Sequence, residues 1–412
     1  MKAAAKKIVI IGAGPAGLAA ALRLRDRGER DIVLLERERE PGGILRQCIH
    51  DGFGLTRFGE TLSGPEYAAR FTERAAGLGL EIVTGATVIG LTTDRVVTAA
   101  TREGLRVYQA QAVILAMGCR ERTRGALSIP GQRPSGIFTA GVAQAYMNLK
   151  NTMVGREAVI LGSGDIGMIM ARRLTLEGAH VKAVFEIQPY PSGLPRNIEQ
   201  CLNDYGIPLY LNHTVTQING DSRLSSIVVS KVDEARRPIP GTEREIPCDT
   251  LILSVGLIPE NELTRMAGAQ IDPDTAGAVV DEHYQTSIPG IFSAGNVLHV
   301  HDLADFVSLE AEALADSVLE FCSGSLRGCP IEVSGEGCGH VIPQRVSGKA
   351  DVTVSFRPRR PMRGCIVSAV QDGKRIASKR LPRANPAEME RLSIPASVFL
   401  SQSPIKVVLQ DD

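Results

Sequence analysis

Two glycine-rich turns are the features of this chain whose residue types and spacing point most directly to chemistry. They lie in the segments IVIIGAGPAG and AVILGSGDIG, and their glycines are Gly12, Gly14 and Gly17 in the first and Gly162, Gly164 and Gly167 in the second. In such turns the first glycine permits a tight bend, the second lets a pyrophosphate approach the backbone, and the third allows close helix–strand packing. Phosphates bind the free N–H groups at the N-terminus of the following helix. Each turn therefore predicts a dinucleotide-binding site.

The residues around each turn complete the strand–turn–helix–strand unit that this chemistry needs. Each turn follows an apolar run typical of a buried parallel strand, and each opens a helix-like stretch. A second apolar run ends in an acid, Glu36 or Glu186, which stands 19 residues after the last glycine. This is close to the roughly 20 residues expected for the acid that binds the ribose hydroxyls. The repetition favours two functional sites over two glycine-rich turns without ligands.

Glu186 also predicts which nucleotide the second site prefers. A carboxylate pairs with a free 2′-hydroxyl and repels a 2′-phosphate. No basic residue follows Glu186 at once, since the next residues are Ile187, Gln188 and Pro189. The second site is therefore predicted to bind NAD(H).

Length and composition predict a cytoplasmic enzyme with more than one domain. The chain has 412 residues, and its 46 Lys and Arg residues balance its 46 Asp and Glu residues. This balance argues against a nucleic-acid or membrane partner that is recognised by bulk charge. No apolar run approaches the roughly 18–20 residues of a membrane span. The first residues lead directly into the first strand, so we expect no signal peptide.

The chain divides by pattern into successive parts. Residues 1–118 are predicted to form a nucleotide-binding unit that closes with the strand QAVILAMG, and a Gly-, Pro- and Arg-rich connection follows. The second unit closes by residue 258 with the strand DTLILSVG. A short strand, a glycine turn and a helix-like run follow. Residues 326–412 alternate in polarity and contain an Asp-Gly hairpin signal, so they are predicted to form a small β domain.

At this point the sequence resembles the two-dinucleotide flavoproteins of the thioredoxin-reductase and glutathione-reductase superfamily. The resemblance rests on both glycine turns, on Ala116-Met117-Gly118 and on Ser293-Ala294-Gly295-Asn296. It implies an α/β fold with two Rossmann-like three-layer domains, the second inserted in the first. The FAD-binding domain would comprise residues 1–118 and 259–325, and the NAD-binding domain with its hinge segments residues 119–258.

A closer resemblance lies in residues 42–71 and in the segment that begins at Gly118. These are similar to the FAD/NAD-dependent accessory oxidoreductase found with anaerobic-type glycerol-3-phosphate dehydrogenase. They also resemble the α subunits of dye-linked proline dehydrogenase, opine oxidase and hydrogen cyanide synthase. The resemblance implies an oligomeric flavoprotein that exchanges electrons with NAD(H) and with a partner dehydrogenase subunit or a small electron carrier.

The resemblance also implies roles for individual residues. Val88 would meet the adenine of FAD through its backbone, Asn296 stands where the superfamily usually has Asp, and Val307 and Ser308 would open a helix that faces the flavin pyrimidine ring. The residues implied for FAD are Gly12, Gly14, Pro15, Ala16, Gly17, Glu36, Arg37, Gly43, Val88, Gly118, Gly295, Asn296, Val307 and Ser308. Those implied for NAD are Gly162, Gly164, Asp165, Ile166, Gly167 and Glu186.

The cysteines depart from the disulfide reductases of the superfamily, because the sequence contains neither CxxC nor CxxxxC. Cys48 lies roughly where one branch begins its redox pair, and it is the one catalytic candidate. As a redox thiol it would need a lowered pKa, for which Arg46 and His50 are the candidate causes. The alternative is a loop thiol that packs near the flavin.

Three further groups leave their roles open. Cys322, Cys329 and Cys338 do not match common zinc or iron–sulfur spacing, although a [2Fe–2S] site there stays an alternative. His299 and His301, with Asp302 and Asp305, would relay protons near the flavin, or serve surface and capping roles. The C-terminal domain has 14 basic and 8 acidic residues, and its arginines would form a docking face for the partner or a solvated strand face. These clustered arginines are Arg357, Arg359, Arg360 and Arg363.

The sequence therefore predicts an FAD-dependent oxidoreductase that transfers hydride between NAD(H) and FAD and exchanges electrons with a partner. Three alternatives are open. The first is a single-cysteine NADH oxidase or peroxidase that uses Cys48. The second is a flavin dehydrogenase subunit that acts on an amine, an amino acid or a hydroxy acid. The third is a non-catalytic subunit whose second site binds a regulatory nucleotide.

Overall fold

The computed structural model describes residues 3–412, which form two compact units. The first unit runs to Cys119 and resumes at Pro259, and the second comprises Arg120–Ile258. The fold is α/β, with a dinucleotide-binding-type sheet in each unit and a β-rich segment after residue 330. None of the helices within residues 3–412 is both long and apolar enough to cross a membrane.

The first unit is built on a seven-stranded mixed sheet in the order β3-β2-β1-β6-β5-β4, with β17 also paired to β6. Strands β1, β2, β3, β6 and β17 are mutually parallel where they pair, and β4 and β5 are antiparallel additions. Their bounds are β1 Ala4–Ile11, β2 Ile32–Glu36, β3 Glu81–Thr84, β4 Thr87–Leu91, β5 Val96–Thr101, β6 Gly104–Leu115 and β17 Ile291–Ser293. The strand order reverses at β1, which lies between β2 and β6. In open α/β sheets, ligands bind beyond the carboxyl ends of the strands at such a point.

Four helices accompany this sheet: α1 Pro15–Asp26, α2 Gly64–Gly77, α7 Glu262–Met266 and α8 Ala304–Cys322. Short 3-10 turns occupy Gly43–Gln47 and Gly295–Val297. Helix α1 begins with Pro15, whose fixed φ suits the first helical position. Its alanine- and leucine-rich face shares one buried core with α8, and Arg23 of α1 pairs with Asp316 of α8 at 2.7 Å. The two helices that begin near the carboxyl edge of the sheet are therefore fixed against each other.

The second unit contains a five-stranded parallel sheet in the order β11-β10-β9-β15-β8 and a three-stranded antiparallel sheet of β12, β13 and β14. The parallel strands are β8 Ile137–Thr139, β9 Glu157–Leu161, β10 His180–Glu186, β11 Leu209–Leu211 and β15 Thr250–Leu253. The antiparallel strands are β12 His213–Gly220, β13 Leu224–Lys231 and β14 Arg244–Pro247. The helices are α3 Arg124–Leu127, α4 Ala140–Lys150, α5 Asp165–Leu176 and α6 Pro195–Cys201, with a 3-10 turn at Asn203–Tyr205. Where the chain crosses between units, β7 Cys119–Glu121 and β16 Leu257–Pro259 pair as two short strands.

The C-terminal segment forms two sheets over one apolar core, as the alternating sequence predicts. One has the order β20-β18-β25-β22-β23 and the other β19-β21-β24. The strands are β18 Ile331–Glu336, β19 Cys338–Ile342, β20 Arg345–Val346, β21 Val352–Pro358, β22 Met362–Gln371, β23 Lys374–Ala384, β24 Glu390–Ile394 and β25 Ile405–Asp411, with a 3-10 turn at Ala396–Val398. The predicted Asp-Gly hairpin is confirmed: Asp372 and Gly373 have φ of 50° and 73° and join β22 to β23. Positive φ at both central residues is the geometry of a type I′ turn.

The packing of α8 generates a prediction on stability. Leu314 is fully buried in the core shared with α1, whereas Leu309 of the same helix is 37% exposed. Leu314→Ala should lower the free energy of unfolding of the first unit by about 2–5 kcal/mol, because it removes buried methyl groups and leaves a cavity. Leu309→Ala is the matched control and should change it by less than about 1 kcal/mol. Chemical denaturation followed by circular dichroism measures both, and equal effects would contradict this account of the core.

Candidate functional site

The first glycine turn has a geometry that only glycine permits at two of its positions. Gly12 follows β1 with a φ of +103°, and a Cβ there would collide with the carbonyl oxygen of Ala116 at the end of β6. A Cβ on Gly17 would collide with the carbonyl oxygen of Gly12. The turn is therefore closed tightly between two parallel strands and the first turn of α1.

A second glycine-rich segment lies against the same turn. Gly42 donates a backbone hydrogen bond to the carbonyl oxygen of Ala13 at 2.8 Å. A Cβ on Gly43, whose φ is +62°, would lie 2.9 Å from the Cα of Gly14. The first turn of α1 contains no acidic residue. The start of α1 is thus lined by backbone and by small apolar side chains, which suits a pyrophosphate held by helix N–H groups.

Glu36 is buried at the end of β2 and has hydrogen-bonding capacity left. The residue is 6% exposed. Oε2 accepts the Ala13 amide at 2.7 Å and Oε1 accepts the Glu38 amide at 2.8 Å. Since each carboxylate oxygen has two lone pairs, each retains one acceptor position. Two vicinal ribose hydroxyls match this pair of acceptors.

The returning part of the chain brings further predicted residues to this edge. Gly295 has a φ of +75°, and a Cβ there would lie 3.0 Å from the Cβ of Ala16 and 3.2 Å from Val307 Cγ1. Ala294 donates a backbone hydrogen bond to the carbonyl oxygen of Leu115 at 3.1 Å. The structure therefore brings the first turns of α1 and α8 together around Gly295.

The other residues implied for FAD differ in how closely the protein surrounds them. The entrance to β4 adjoins Glu36, because Ala86 donates to the Glu36 carbonyl oxygen at 2.8 Å, and Val88 pairs with Ala99 in that strand. Gly118 has a φ of +74° and open space beside it. Arg37 has a side chain that is 61% exposed.

Two of these residues have side chains engaged within the protein. Asn296 accepts the His301 amide at 3.0 Å on Oδ1, and its Nδ2 lies 3.6 Å from Cys119 Sγ. The buried Ser308 hydroxyl lies 2.8 Å from the Tyr67 hydroxyl, which donates to it. The Asn296 side chain therefore orders its own loop, a role that the sequence did not suggest.

The second glycine turn repeats the construction of the first. Gly162 follows β9 with a φ of +96°, and a Cβ there would collide with the carbonyl oxygen of Ser254 after β15. A Cβ on Gly167 would lie 2.6 Å from the Cβ of Ser254, whose hydroxyl accepts the Gly167 amide at 3.0 Å. Ser254 thus occupies the position in this unit that Ala116 occupies in the first.

Glu186 differs from Glu36 in how its oxygens are used. Oε2 accepts three hydrogen bonds, from the Ser163 amide at 2.9 Å, the Ser163 hydroxyl at 2.7 Å and the Ser192 hydroxyl at 2.8 Å. Oε1 accepts the Gln188 amide at 2.9 Å. The remaining acceptor position on this 4%-exposed residue is therefore on Oε1. Ser192 was not among the predicted site residues.

The start of α5 also differs from that of α1. Asp165 stands at the first helical position, and its Oδ1 accepts the Leu194 amide at 2.8 Å and the Asn197 side-chain amide at 2.6 Å. The segment after β10 is thus tied to the glycine turn through Asp165 and Ser163. A carboxylate in the first turn is favourable to the helix dipole.

A cavity of about 440 Å³ opens directly beyond Glu186. The β13–β14 connection supplies two carboxylates, Asp233 and Glu234, and one cation, Arg236. Its lining residues are Ile187, Gln188, Pro189, Tyr190, Asn212, Val232, Asp233, Glu234 and Arg236. Sequence reasoning missed this contribution, because the connection lies more than forty residues after Glu186.

The surroundings of Cys48 raise the pKa of its thiol and do not lower it. Burial raises the pKa of the Cys48 thiol to about 12. Arg46 forms an ion pair with Glu40, and His50 Nδ1 lies 3.0 Å from the Asp51 carbonyl oxygen. The direction of this pKa change is therefore opposite to the one that a redox-active Cys48 would need. All eight cysteines in residues 3–412 are free thiols, and Cys329, but neither Cys322 nor Cys338, lies in a group of potential metal ligands there.

His299 is buried and His301 is half-buried with little of its side chain exposed, so the surface role considered for them is wrong. Their side chains are 3% and 5% exposed and both lie against Glu310 of α8. Burial lowers the pKa of His299 to about 4. Burial opposes ionisation of Glu310, but the neighbouring His301 and His299 outweigh it and hold the pKa of that carboxyl well below its usual range. Nothing in the local sequence around Glu310 signalled this grouping.

The arginine cluster of the C-terminal segment is largely engaged within the chain. Arg357 donates to the carbonyl oxygens of Pro386 at 2.7 Å and Val300 at 3.0 Å, and its side chain is 20% exposed. Arg359 donates to the Cys338 carbonyl oxygen at 2.7 Å, and Arg360 pairs with Asp411 at 2.8 Å. Arg363 is exposed. The prediction of a docking face is wrong for Arg357, which instead joins the β segment to the loop before α8.

Comparisons with known proteins identify the relatives of this arrangement. Residues 6–312 match the family model described as pyridine nucleotide-disulphide oxidoreductase. One of the opine oxidase subunits of Agrobacterium tumefaciens is 27% identical over 70% of this chain and 60% of its own length. Thioredoxin reductase of Listeria innocua is 30% identical over 70% of this chain and 85% of its own length. The crystal structure of Lactococcus lactis thioredoxin reductase is 25% identical, with a TM-score of 0.62 over 77% of this chain and 99% of that chain.

The Gly14–Gly43 contact generates a prediction on flavin retention. Gly43→Ala should weaken FAD binding by about 5–150-fold, since an overlap of this kind costs about 1–3 kcal/mol. Gly59→Ala is the matched control, because Gly59 also has a positive φ, +70°, but has nothing within 4 Å of its Cβ position. Flavin absorbance after gel filtration measures both variants. Equal loss in the two would show that backbone strain, and not the approach of Gly43 to Gly14, is responsible.

The pKa of Cys48 generates a second prediction. With a pKa of about 12 the thiol is neutral at pH 8, so it is a poor nucleophile there. Cys48→Ser should therefore keep NADH-dependent turnover within about twofold of the unchanged protein. Steady-state oxidation of NADH with an artificial acceptor measures this. A loss of turnover with flavin content preserved would restore the single-cysteine mechanism.

Proposed function

The chain belongs to the pyridine nucleotide-disulphide oxidoreductase family and is an FAD- and NAD(P)-dependent oxidoreductase, and from this premise we propose that it transfers hydride between NAD(H) and FAD and exchanges electrons with a partner subunit or small acceptor. The observation that carries the proposal is the duplicated site. Each unit has a glycine turn closed against a neighbouring strand and a buried acid that accepts an amide of that turn.

The residues of the first unit fit FAD. Gly12, Gly14 and Gly43 leave a backbone-lined space at the start of α1, and Glu36 retains one acceptor on each oxygen. Gly295 and Val307 would lie along the same edge. When bound, FAD supplies two-electron redox chemistry that side chains lack. The residues of the chain bind and orient the cofactor and exclude water around it.

We propose NAD(H) as the nucleotide of the second site. Glu186 is buried and ionisable next to the glycine turn, and the cavity beyond it adds Asp233 and Glu234. Three carboxylates disfavour the two negative charges of a 2′-phosphate. Arg236 is the single cation of the cavity lining, so the balance there stays negative.

We propose that the electron partner is another protein chain. The opine oxidase relative is by its name one subunit of an enzyme, and this chain spans 60% of its length. The absence of CxxC and CxxxxC from the sequence and the raised pKa of Cys48 disfavour a dithiol route.

We also propose the accessory role beside an anaerobic-type glycerol-3-phosphate dehydrogenase, on the resemblance of residues 42–71, and an oligomeric assembly. Eight free thiols favour a reducing, cytoplasmic location.

A second candidate function is a regulatory nucleotide in the second unit. It is favoured by the ties from Leu194 and Asn197 to Asp165, which place a folded segment beside the glycine turn. In that case the nucleotide would bind without reducing the flavin.

Anaerobic titration with NADH and NADPH tests the proposal. NADH should bleach the flavin absorbance stoichiometrically, and NADPH should do so at least about tenfold less effectively. If NADH binds to the protein but does not bleach the flavin, the result favours the regulatory candidate. A flavin bleached by an amine or hydroxy acid alone would favour direct dehydrogenation, and a folded protein without flavin would contradict the FAD assignment.

Variants of the second site give a prediction that is independent of the partner. Glu186→Ala should lower kcat/KM for NADH by about 10–100-fold, because a hydrogen bond to a charged group contributes about 1.5–3 kcal/mol. The same change should lower the ratio of kcat/KM for NADH to kcat/KM for NADPH. Glu234→Gln is the control within the same cavity and should retain most of the rate with NADH. Stopped-flow flavin reduction measures both, and an unchanged NADH:NADPH ratio in Glu186→Ala would contradict the role of Glu186.

A further inference from the structure

A group of two imidazoles and one carboxylate, whose side chains are largely covered, lies between the Gly295–Val297 turn and helix α8. His299 and His301 come from the loop after that turn, and Glu310 comes from the second turn of α8. Their side chains are 3%, 5% and 10% exposed. The group is distinct from both glycine turns, and neither the family comparison nor the duplicated site assigns it a role.

Three potential ligand atoms of this group converge on one small region. Glu310 Oε2 lies 3.0 Å from His299 Nε2 and 3.3 Å from His301 Nε2. The two imidazole rings are 3.9 Å apart between centroids. The single oxygen therefore faces a ring nitrogen from each histidine, and the two nitrogens approach each other.

The hydrogen bonds around the group define which lone pairs point inward. His301 Nδ1 lies 3.1 Å from the His299 carbonyl oxygen, and a carbonyl only accepts, so Nδ1 carries the hydrogen. In a neutral ring the lone pair of His301 then lies on Nε2, directed at a carboxylate oxygen that is itself an acceptor. A cation between these two lone pairs would satisfy both. His299 Nδ1 is buried without a hydrogen-bond partner among residues 3–412.

The outer contacts resemble those that orient ligands in metal sites. A ligating histidine usually donates its other ring N–H to a carbonyl or carboxylate, and a ligating carboxylate is itself hydrogen-bonded. Here His301 donates to a carbonyl, and Glu310 Oε1 accepts the Gly295 amide at 2.8 Å. Both of these outer contacts point away from the convergent atoms.

The spacing of the atoms also suits a metal ion. Two ligands about 2.0–2.1 Å from a tetrahedral zinc ion lie about 3.3 Å apart. The nitrogen–oxygen separations of 3.0 and 3.3 Å are close to this value. Two imidazoles and one carboxylate form a donor set that binds zinc or ferrous iron.

We propose that His299, His301 and Glu310 form a binding site for one divalent transition-metal ion, zinc or ferrous iron. The ion would fix the loop that carries Gly295 and Asn296, because Glu310 binds the Gly295 amide and the His301 amide donates to Asn296 at 3.0 Å. It would thus stabilise the turn that the FAD proposal places beside the cofactor. The inference goes beyond the proposed function and does not depend on it.

A second group of potential ligands provides an internal control. Glu282, His283 and Cys329 also have ligand atoms within 4.8 Å of one another. In that group His283 Nε2 lies 3.8 Å from Glu282 Oε1, and the His283 side chain is 15% exposed. The histidines of the first group are more deeply buried than His283 and lie closer to their carboxylate, so we assign the metal to that group.

Metal content of the tag-free full-length protein tests the proposal. The protein is freed of metal with a chelator, incubated with Zn²⁺ or anaerobically with Fe²⁺, desalted, and analysed by mass spectrometry of the elements. About one ion per chain is expected for the preferred metal. Less than about one tenth of an ion per chain with both metals would overturn the proposal, and this result needs no variant.

Variants locate the ion. His301→Ala and Glu310→Gln should each weaken binding by at least about tenfold, whereas His283→Ala should bind as the unchanged protein does. Retention of the ion in His301→Ala, or its loss in His283→Ala, would overturn the assignment. Flavin content and bleaching by NADH are recorded on the same samples. A protein that binds the metal but has no reducible flavin would support this inference and contradict the proposed function. A protein with reducible flavin but no metal would support the proposed function and contradict this inference.

Discussion

The hydrogen bond from a glycine-turn amide to a buried acid is the interaction on which each dinucleotide-type unit depends. Ala13 donates to Glu36 at 2.7 Å, and Ser163 donates to Glu186 at 2.9 Å. A carboxylate of this burial is stable only when hydrogen bonds compensate for its lost hydration. The acid therefore joins the end of the second strand to the turn after the first strand, and it orients that turn for a ligand.

The two units diverge in what surrounds this shared interaction. Glu36 has one donor on each oxygen, which leaves a symmetric pair of acceptors. Glu186 has three donors on Oε2, two of them serine hydroxyls. The first arrangement is open to a ligand that binds through both oxygens. The second leaves its free acceptor position on Oε1, and the cavity beyond it adds the charged groups Asp233, Glu234 and Arg236.

Much of this architecture could be predicted from sequence because it is local. Gly12 and Gly162, the acids 19 residues after Gly17 and Gly167, and the Asp372-Gly373 hairpin each act within one supersecondary unit. The polarity pattern also predicts the β character of the C-terminal segment. These features repeat short-range rules of turn geometry and strand alternation.

The features that sequence reasoning missed all arise from tertiary contacts, some of them between residues as near along the chain as His299 and Glu310. Glu310 meets His299 only because α8 folds back over the loop that precedes it, and Asp233 reaches the Glu186 cavity from another sheet. The raised pKa of Cys48 depends on burial, which its neighbours in sequence, Arg46 and His50, did not reveal. Charge near in sequence was thus a poor guide to charge near in space.

The C-terminal β segment also makes contacts with residues that are distant in sequence, in α8 and in the loop before it. Arg357 donates to the Val300 carbonyl oxygen, and the Arg391 guanidinium lies 3.9 Å from the centre of the Phe306 ring in α8. Cation–π and charged hydrogen bonds of this kind are stronger when partly buried. His340 of β19 also lies against the histidine pair, with its ring 5.9 Å from that of His299. The β segment therefore covers the loop from Asn296 to α8 and keeps its histidines from water. Arg357, one of the arginines considered for a docking face, instead donates to the loop before α8, whereas the side chains of Arg359 and Arg360 are 63% and 62% exposed.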